Sequence, residues 1–555
     1  MTLHGENITN QTIALQLAGD LANLTLNVQS LGPIDSNITA KLNLLDDALP
    51  HQLTVKVTTA DFAAVSPAAT IKLHDSQLDL SGTLQHSKLS SAINVTGEAP
   101  LQAHATLAGI VNLSGATLDK LSITALDGNI SANAVLDWQN GLHWQSNSSL
   151  QQIHTEQLMP AYPGQISGEL RHSGVLNNDG SWQVEISKLT LEGDIRSHRL
   201  LANGAMSANY PADGGGITLF TPVLVIQHAS NRMQISGSVN HDWQLTAVID
   251  APELQQSFTG LTGALSGDVA VTGSALQPQL QGKLLAESLR WQDVYLASAE
   301  LDSKLWLDDR QKINAQLAVQ ATAGRYQTTR IDRVDLTLDG NEHNHILKIN
   351  AQAKDHQLQL QLDGTLDEQR SLWQGSLKQA LINSALGPWH LPEPMHLSFQ
   401  LQPQQLRIDQ HCWQQRQSML CLEKPLLLSE RSTEFTLGLT DFDLATVNGL
   451  LPADTSVQGQ INAHAQLVMQ RGNLPSLRLS IAGESGLLTQ QLQTELVFPW
   501  HSISLTSQLQ DDILTNNLQL QLTDTASFDA SVAIAQLQQG EQQLSGEIKL
   551  QQLAL

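Results

Sequence analysis

Few positions in this sequence gather side chains suited to chemistry. The best metal-like cluster is Glu342, His343 and His345. A carboxylate and two imidazoles are the donor types of a zinc site. They directly follow the turn dipeptide Asp339-Gly340, so they are expected as solvated residues of a hairpin turn and the strand leaving it. Acidic pairs occur at Asp308-Asp309 and Asp511-Asp512. Adjacent turn residues do not oppose one another as general acid and base. Gly483-Glu484-Ser485-Gly486 has its second glycine one position too early for a nucleophile elbow. Gly214-Gly215-Gly216 precedes a strand-like run instead of opening a helix, so it reads as a flexible turn and not a phosphate loop. No G-x-x-x-x-G-K-S/T and no H-E-x-x-H motif occurs. The expectation is a chain that is not an enzyme and takes no metal and no cofactor.

Two cysteines remain, Cys412 and Cys421. With Arg416-Gln417-Ser418 between them, they could face each other across a hairpin. A disulfide there would suit an oxidising compartment such as the periplasm. Two unpaired thiols are the alternative. No second pair of ligands has zinc spacing.

Composition points away from ordinary globular domains. Of 555 residues, 15% are charged and 4% aromatic, yet 41% are hydrophobic. There is apolar material for a large surface, but few aromatics to anchor compact cores. The tryptophans Trp182, Trp243, Trp291, Trp306 and Trp373 stand singly and are expected to pack against a sheet or line a groove. With 29 basic against 53 acidic residues the formal net charge is −24. No basic run exists for a phosphate backbone, so nucleic acid is not expected as a partner. The most apolar short run, Leu219 to Ile226, holds Thr221 and Pro222 and is far too short to cross a membrane as a helix. The first residues, Met1-Thr-Leu-His-Gly-Glu, have neither the basic nor the apolar region of a signal peptide.

The elements that must position any site are strands. Apolar and polar residues alternate with period two in segment after segment. Leu24, Leu26 and Val28 share one parity, as do Leu78 and Leu80. So do Val269 and Val271, and Leu358, Leu360 and Leu362. Leu477, Leu479 and Ile481 repeat the pattern, followed by Leu518, Leu520 and Leu522. Successive side chains on a strand point to opposite faces, so each segment has one apolar and one wet face. Parallel strands buried on both sides would show continuous apolar runs instead. The fold class expected is all-β: an elongated, repetitive, curved antiparallel sheet with an apolar inner face and few short helices. Roughly 40 to 50 strands would fit. Turns are expected at Asp127-Gly128, Asn203-Gly204, Asp339-Gly340 and Asp363-Gly364. Gly82 and Gly364 sit inside alternating runs, where bulges or tight bends are expected. Short helices are expected at Gln152 to Met159 and Asp443 to Leu451, each ended by a proline. A weak repeat of the form G-x-h-x-h starts at Gly168, Gly267 and Gly459, with intervals 267 − 168 = 99 and 459 − 267 = 192. Repeats of this kind build elongated arrays. One continuous β-groove segment over 1–555 is expected.

A collinear series of short motifs resembles a known family. Pro278-Gln279-Leu280 precedes Leu289-Arg290-Trp291-Gln292-Asp293-Val294. Gly387-Pro388-Trp389 follows, then Cys412-Trp413 and Cys421. Asp441-Phe442-Asp443-Leu444-Ala445, Leu450-Leu451-Pro452 and Val457-Gln458-Gly459 complete it. In order and spacing, from about Thr155 to Gln493, this is similar to the central region of the TamB family in the AsmA-like superfamily. The resemblance implies an open β-taco in the periplasm of a Gram-negative bacterium, with a hydrophobic groove for phospholipid acyl chains moving between the inner and outer membranes. The sixteen alternating residues named above would line it. It also implies partnership with a TamA-like outer-membrane barrel, through regions outside this chain, and a role in autotransporter assembly. The family's inner-membrane signal anchor and its C-terminal domain are not recognised in this sequence, so a periplasmic middle segment is expected. The competing reading is a scaffold that holds outer-membrane and autotransporter segments by β-augmentation. An adhesin or polysaccharide-acting β-helix would need carboxylates clustered on adjacent strands, and a transmembrane barrel would need aromatic girdles.

Overall fold

Alternating sequences of this kind can satisfy their main-chain N–H and C=O groups only by pairing side by side. The structure, a computed structural model, describes residues 2–5, 8–64, 70–98, 102–429, 432–470, 474–492, 495–535 and 542–552. Strands hold 75% of the described residues and helices 2%, so nearly all of their order is main-chain ladder. There are 39 strands among the described residues, just under the number expected from the sequence. Every described register between neighbouring strands is antiparallel, for example Leu17 opposite Leu26 and Leu360 opposite Ala380. The chain divides into two compact units, 1–286 and 287–555. In the first unit, strand Thr2–Gly5 pairs only with strand Ile8–Ala18 among the described pairings. In the second, strand Gln543–Gln551 pairs only with Ser527–Ala535 among the described pairings.

The turn dipeptides divide sharply. Leu126 and Asp127 both have positive φ (51° and 52°) and form a two-residue hairpin turn leading into Gly128. Positive φ at both corners matches the right-handed twist of the flanking strands. The other three dipeptides lie within strands: Asn203-Gly204 in His198–Tyr210, Asp339-Gly340 in Thr329–Asn341 and Asp363-Gly364 in His356–Leu366. Gly364 is not a bulge either. It pairs in regular register between His345 and Gly375. A Cβ there would strike the His345 and Trp373 rings. The Trp373 indole lies across Gly364 and Gly375, donating from Nε1 to His345 Nε2 at 2.9 Å. Absence of a side chain, not freedom of φ, is what this position requires.

Short helical turns recur along one margin of the first unit. They follow strands His51–Asp61, Leu142–His154 and Asp242–Ala251, each six strands after the last. Connections six strands apart in an antiparallel ladder leave it at the same end. The first is the 3₁₀ turn Phe62–Ala64. The second corrects the helix expected at Gln152 to Met159. Gln152 to His154 finish a strand, and a single turn follows, with the Leu158 and Met159 N–H groups both donating to the Thr155 carbonyl. Thr155 Oγ1 donates to the Tyr162 carbonyl at 2.6 Å and closes the loop. Beside it, the His154 ring holds the Glu156 carboxyl down to about 2, helped by the Glu156 and Gly164 N–H groups.

The third turn, helix Leu254–Ser257, is the most firmly held. Leu254 is 2% exposed, the least of any large side chain described. Asn231 clasps Glu253 twice, donating to its carbonyl at 2.8 Å and accepting from its N–H at 3.0 Å. Arg196 donates to the Ser257 carbonyl at 2.8 Å. The helix thus ties together hairpin turns from three successive strand pairs. In the second unit the 3₁₀ turn Leu444–Leu450 falls where the sequence places a helix, capped by Asp443, which accepts from the Ala445 N–H at 2.9 Å. Gly168, Gly267 and Gly459 each lie in the first strand after such a turn. Leu254→Ala should cost about 2–4 kcal/mol. Hydrogen exchange should show the loss confined to strands Trp182–Ile195 through Leu261–Ser274; uniform loss across the first unit would contradict a locally acting rim.

The apolar face as candidate functional site

Register converts the alternation of single strands into rows that cross the sheet. In the second unit Leu301, Val319, Leu336, Ile349, Leu360 and Ala380 stand opposite one another on six successive strands. A parallel row holds Leu317, Leu338, Leu347, Leu362 and Leu377. Five strand spacings make the first, six-strand row about 24 Å long. The opposite face carries Glu300, Gln320, Asp335, Asn350 and Gln359 in the same register.

In the first unit Leu17, Leu26, Ala40, Leu53, Leu80 and Leu89 form one row. Val28, Ile38, Val55 and Leu78 form the next, and Leu24 stands opposite Leu42. Farther along, Ile235, Ala247 and Val269 align, and Leu245 meets Val271. Toward the end of the second unit Ala463, Ile481, Leu505, Leu518 and Ala530 align. Leu477 faces Leu509, Leu479 faces Ser507, and Leu520 faces Ile503 and Phe528. Leu522 departs from the expectation. Its strand ends at Gln521, and the Leu522 N–H donates to the Ala526 carbonyl at 2.9 Å in the turn that follows.

All sixteen residues singled out by the sequence are half-buried: none is fully packed and none fully exposed. An ordinary core would bury most of them. The side chains cover one another along a row; among the described residues the cluster at Leu377 and Ala380, with Leu391 and Met395, is packed over, and the other leucines, isoleucines and valines of the rows keep part of their surface exposed. Total accessible surface agrees. It is 33671 Å², whereas two compact globules of half this chain's mass would expose about 23,000 Å².

Sequence reading missed a fork in the second unit. Strand Leu372–Ser384 pairs over one half with Gly387–His390 and over the other with Met395–Gln400. Between these partners lies Leu391-Pro392-Glu393-Pro394. Proline has no N–H for a ladder, so pairing stops there. One branch continues through His411–Gln415 and Ser418–Leu422, the other through Gln405–Ile408 and Leu426–Ser429. Leu391 still donates its N–H to the Ala380 carbonyl at 3.0 Å, which keeps it in register beside Ala380. Leu377, Ala380, Leu391 and Met395 are fully buried there, with Leu360, Leu362, Ile408 and Trp413 packed against them. This cluster seals the gap on the apolar side. The Cys412–Cys421 disulfide joins directly opposed residues of the neighbouring hairpin, with Cα atoms 4.0 Å apart. Side-chain alternation puts it on the face opposite Trp413.

The candidate chemistry is otherwise accounted for. Glu342 forms a two-pronged ion pair with Arg370, the shorter contact 2.6 Å, which lowers its pKa. His343 bonds the Leu366 carbonyl and His345 accepts from Trp373. Among the described residues no group of three or more His, Cys, Asp or Glu is placed to hold a metal ion. No helix among them is long and apolar enough to cross a membrane.

An antiparallel sheet with apolar rows along one face of each unit is the class this geometry defines. The family model described as "TamB, N-terminal domain" matches residues 1–555, and the chain belongs to that family. It is 25% identical over 513 residues to the translocation and assembly module subunit TamB of Haemophilus influenzae, covering 92% of this chain and 38% of that protein. A protein of Buchnera aphidicola subsp. Schizaphis graminum is 21% identical over 392 residues, covering 69% of this chain and 37% of the relative. The chain thus spans under two-fifths of the length of these relatives.

Leu391→Ala should destabilise the fork by about 2–4 kcal/mol, because the seal leaves a cavity it cannot close. Hydrogen exchange should rise in strands Gly387–His390 and Met395–Gln400. Unchanged protection there would show that the cluster does not hold the fork.

Proposed function

We propose that this chain is a segment of a groove that carries phospholipid acyl chains through the periplasm, between the inner and outer membranes of a Gram-negative envelope. The observation that supports this most directly is the half-buried row structure of the apolar face. Each methylene exposed to water costs about 0.8 kcal/mol. A lipid leaving a membrane therefore needs apolar surface at every step, and half-buried Leu, Ile and Val side chains supply it strand by strand. Acyl chains ask only for apolarity and width, which suits rows that conserve parity but vary in residue. The Gln- and Asp-bearing opposite face stays wet. The reading calls for no covalent step, no cofactor and no enzyme activity.

The Haemophilus influenzae relative is a subunit of a translocation and assembly module. By that likeness the chain works within such a module, with an outer-membrane barrel partner of the TamA type, in a protein anchored in the inner membrane.

Leu360→Arg places a charge in the middle of a row, whereas Gln359→Arg places the same charge on the wet face. In the full-length protein, Leu360→Arg should slow delivery of labelled phospholipid to the outer membrane by about tenfold or more, the cost of crossing a buried charge being at least about 1.4 kcal/mol. Gln359→Arg should leave delivery unchanged, and circular dichroism should show both variants folded. Equal delivery by the two folded variants would overturn the reading.

A further inference from the structure

One strand inside the second unit departs from the two-sided pairing of its neighbours. Strand Glu495–Trp500 pairs on one side with Gly486–Gln491. The strand that follows it, Ser502–Gln510, finds a second partner in Ile513–Gln521, but Glu495–Trp500 does not. Among the described pairings its outer edge is free. Its sequence, Leu496-Val497-Phe498-Pro499-Trp500, is apolar without alternation. Leu496, Val497 and Phe498 are 39%, 49% and 47% exposed. Consecutive side chains point to opposite faces, so this strand is apolar on both. A continuous apolar run is the pattern of a strand covered on both sides.

The edge is also held in place. Trp500 is 8% exposed, and its Nε1 donates to the Glu484 carbonyl at 2.9 Å. The indole lies on Gly486, where a Cβ would strike it. His501 donates its N–H to the Gln521 carbonyl at 2.7 Å and fixes the far end. Natural edge strands are blunted by charge, bulge, proline or cover. Here Glu495 and Pro499 guard only the ends, and the segment between them is bare.

We propose that the free edge of Glu495–Trp500 docks an extended apolar strand of a partner polypeptide by β-augmentation. Two requirements select that occupant. The edge presents main-chain donors and acceptors at strand spacing, which an acyl chain cannot pair. The side chains on both faces demand apolar neighbours on both faces, which an adding strand provides. A second copy of this chain is disfavoured by charge, since each copy carries −24. The partner strand is therefore neutral or basic. This goes beyond the lipid groove and does not rest on it.

The test uses a fluorescent peptide of about ten residues, with Val and Ile at every interior position and lysines at each end, and the same peptide N-methylated at alternate amides. Binding is measured by anisotropy to the full chain, to Val497→Lys, and to Leu360→Arg as a control far from the edge. The plain peptide should bind the full chain and Leu360→Arg alike. N-methylation should weaken binding about tenfold or more, and so should Val497→Lys. Equal binding of the two peptides would overturn the proposal, because attraction would then be side-chain stickiness without a ladder. So would competition by phosphatidylethanolamine vesicles at equal strength, which would assign the patch to lipid. Self-association in light scattering that Val497→Lys abolishes would assign the edge to a second copy and equally overturn it. Failure of Leu360→Arg in phospholipid delivery, with peptide binding intact, would keep the two readings separate.

Discussion

The physical constraint beneath everything here is the period of two. A residue's face on a strand is set by its parity, and a slip of one residue would exchange every Leu for a Gln. Register therefore matters more than any single side chain. Once Leu360 is opposite Ile349 and Ala380, its neighbours two residues away fall on the same face without further instruction. Rows across the sheet follow from pairing alone, and the apolar face is what those rows add up to.

Such a face must be kept open and yet intact. A sheet whose rows stay half-buried gains little from packing, and the structure compensates at particular places. The helix Leu254–Ser257 and the turn at Thr155 to Tyr162 tie hairpins together along one margin of the first unit. Indoles laid across glycines, as Trp373 on Gly364 and Trp500 on Gly486, hold neighbouring strands without filling the face. At the fork, where Pro392 and Pro394 end pairing, Leu391 and Met395 close the seam from the apolar side. Each device is local, as a repetitive ladder requires, since a strand touches only its neighbours.

The sequence shows the class of fold and the faces of its strands plainly, because alternation is a local property. All sixteen residues chosen by parity lie half-buried, fifteen of them in strands; Leu522 lies one residue beyond its strand. Glycine was harder to read. Asp127-Gly128 does mark a hairpin turn, whereas Asn203-Gly204, Asp339-Gly340 and Asp363-Gly364 do not, because a glycine needed under an aromatic ring or a close backbone looks the same in one dimension. The fork was hidden for a related reason. Pro392 and Pro394 are visible, but that one strand should take two partners is settled by residues elsewhere in the chain. The rim turns are too short, at three to seven residues, to show a helical period of 3.6.

The most direct measurement is site-specific photocrosslinking in intact cells, with the probe at Leu360 and, for the opposite face, at Gln359. The account predicts phospholipid adducts at Leu360 and none at Gln359, which would fix both the occupant of the apolar face and the register that creates it. Polypeptide adducts at Leu360, or no adduct at either position, would contradict it.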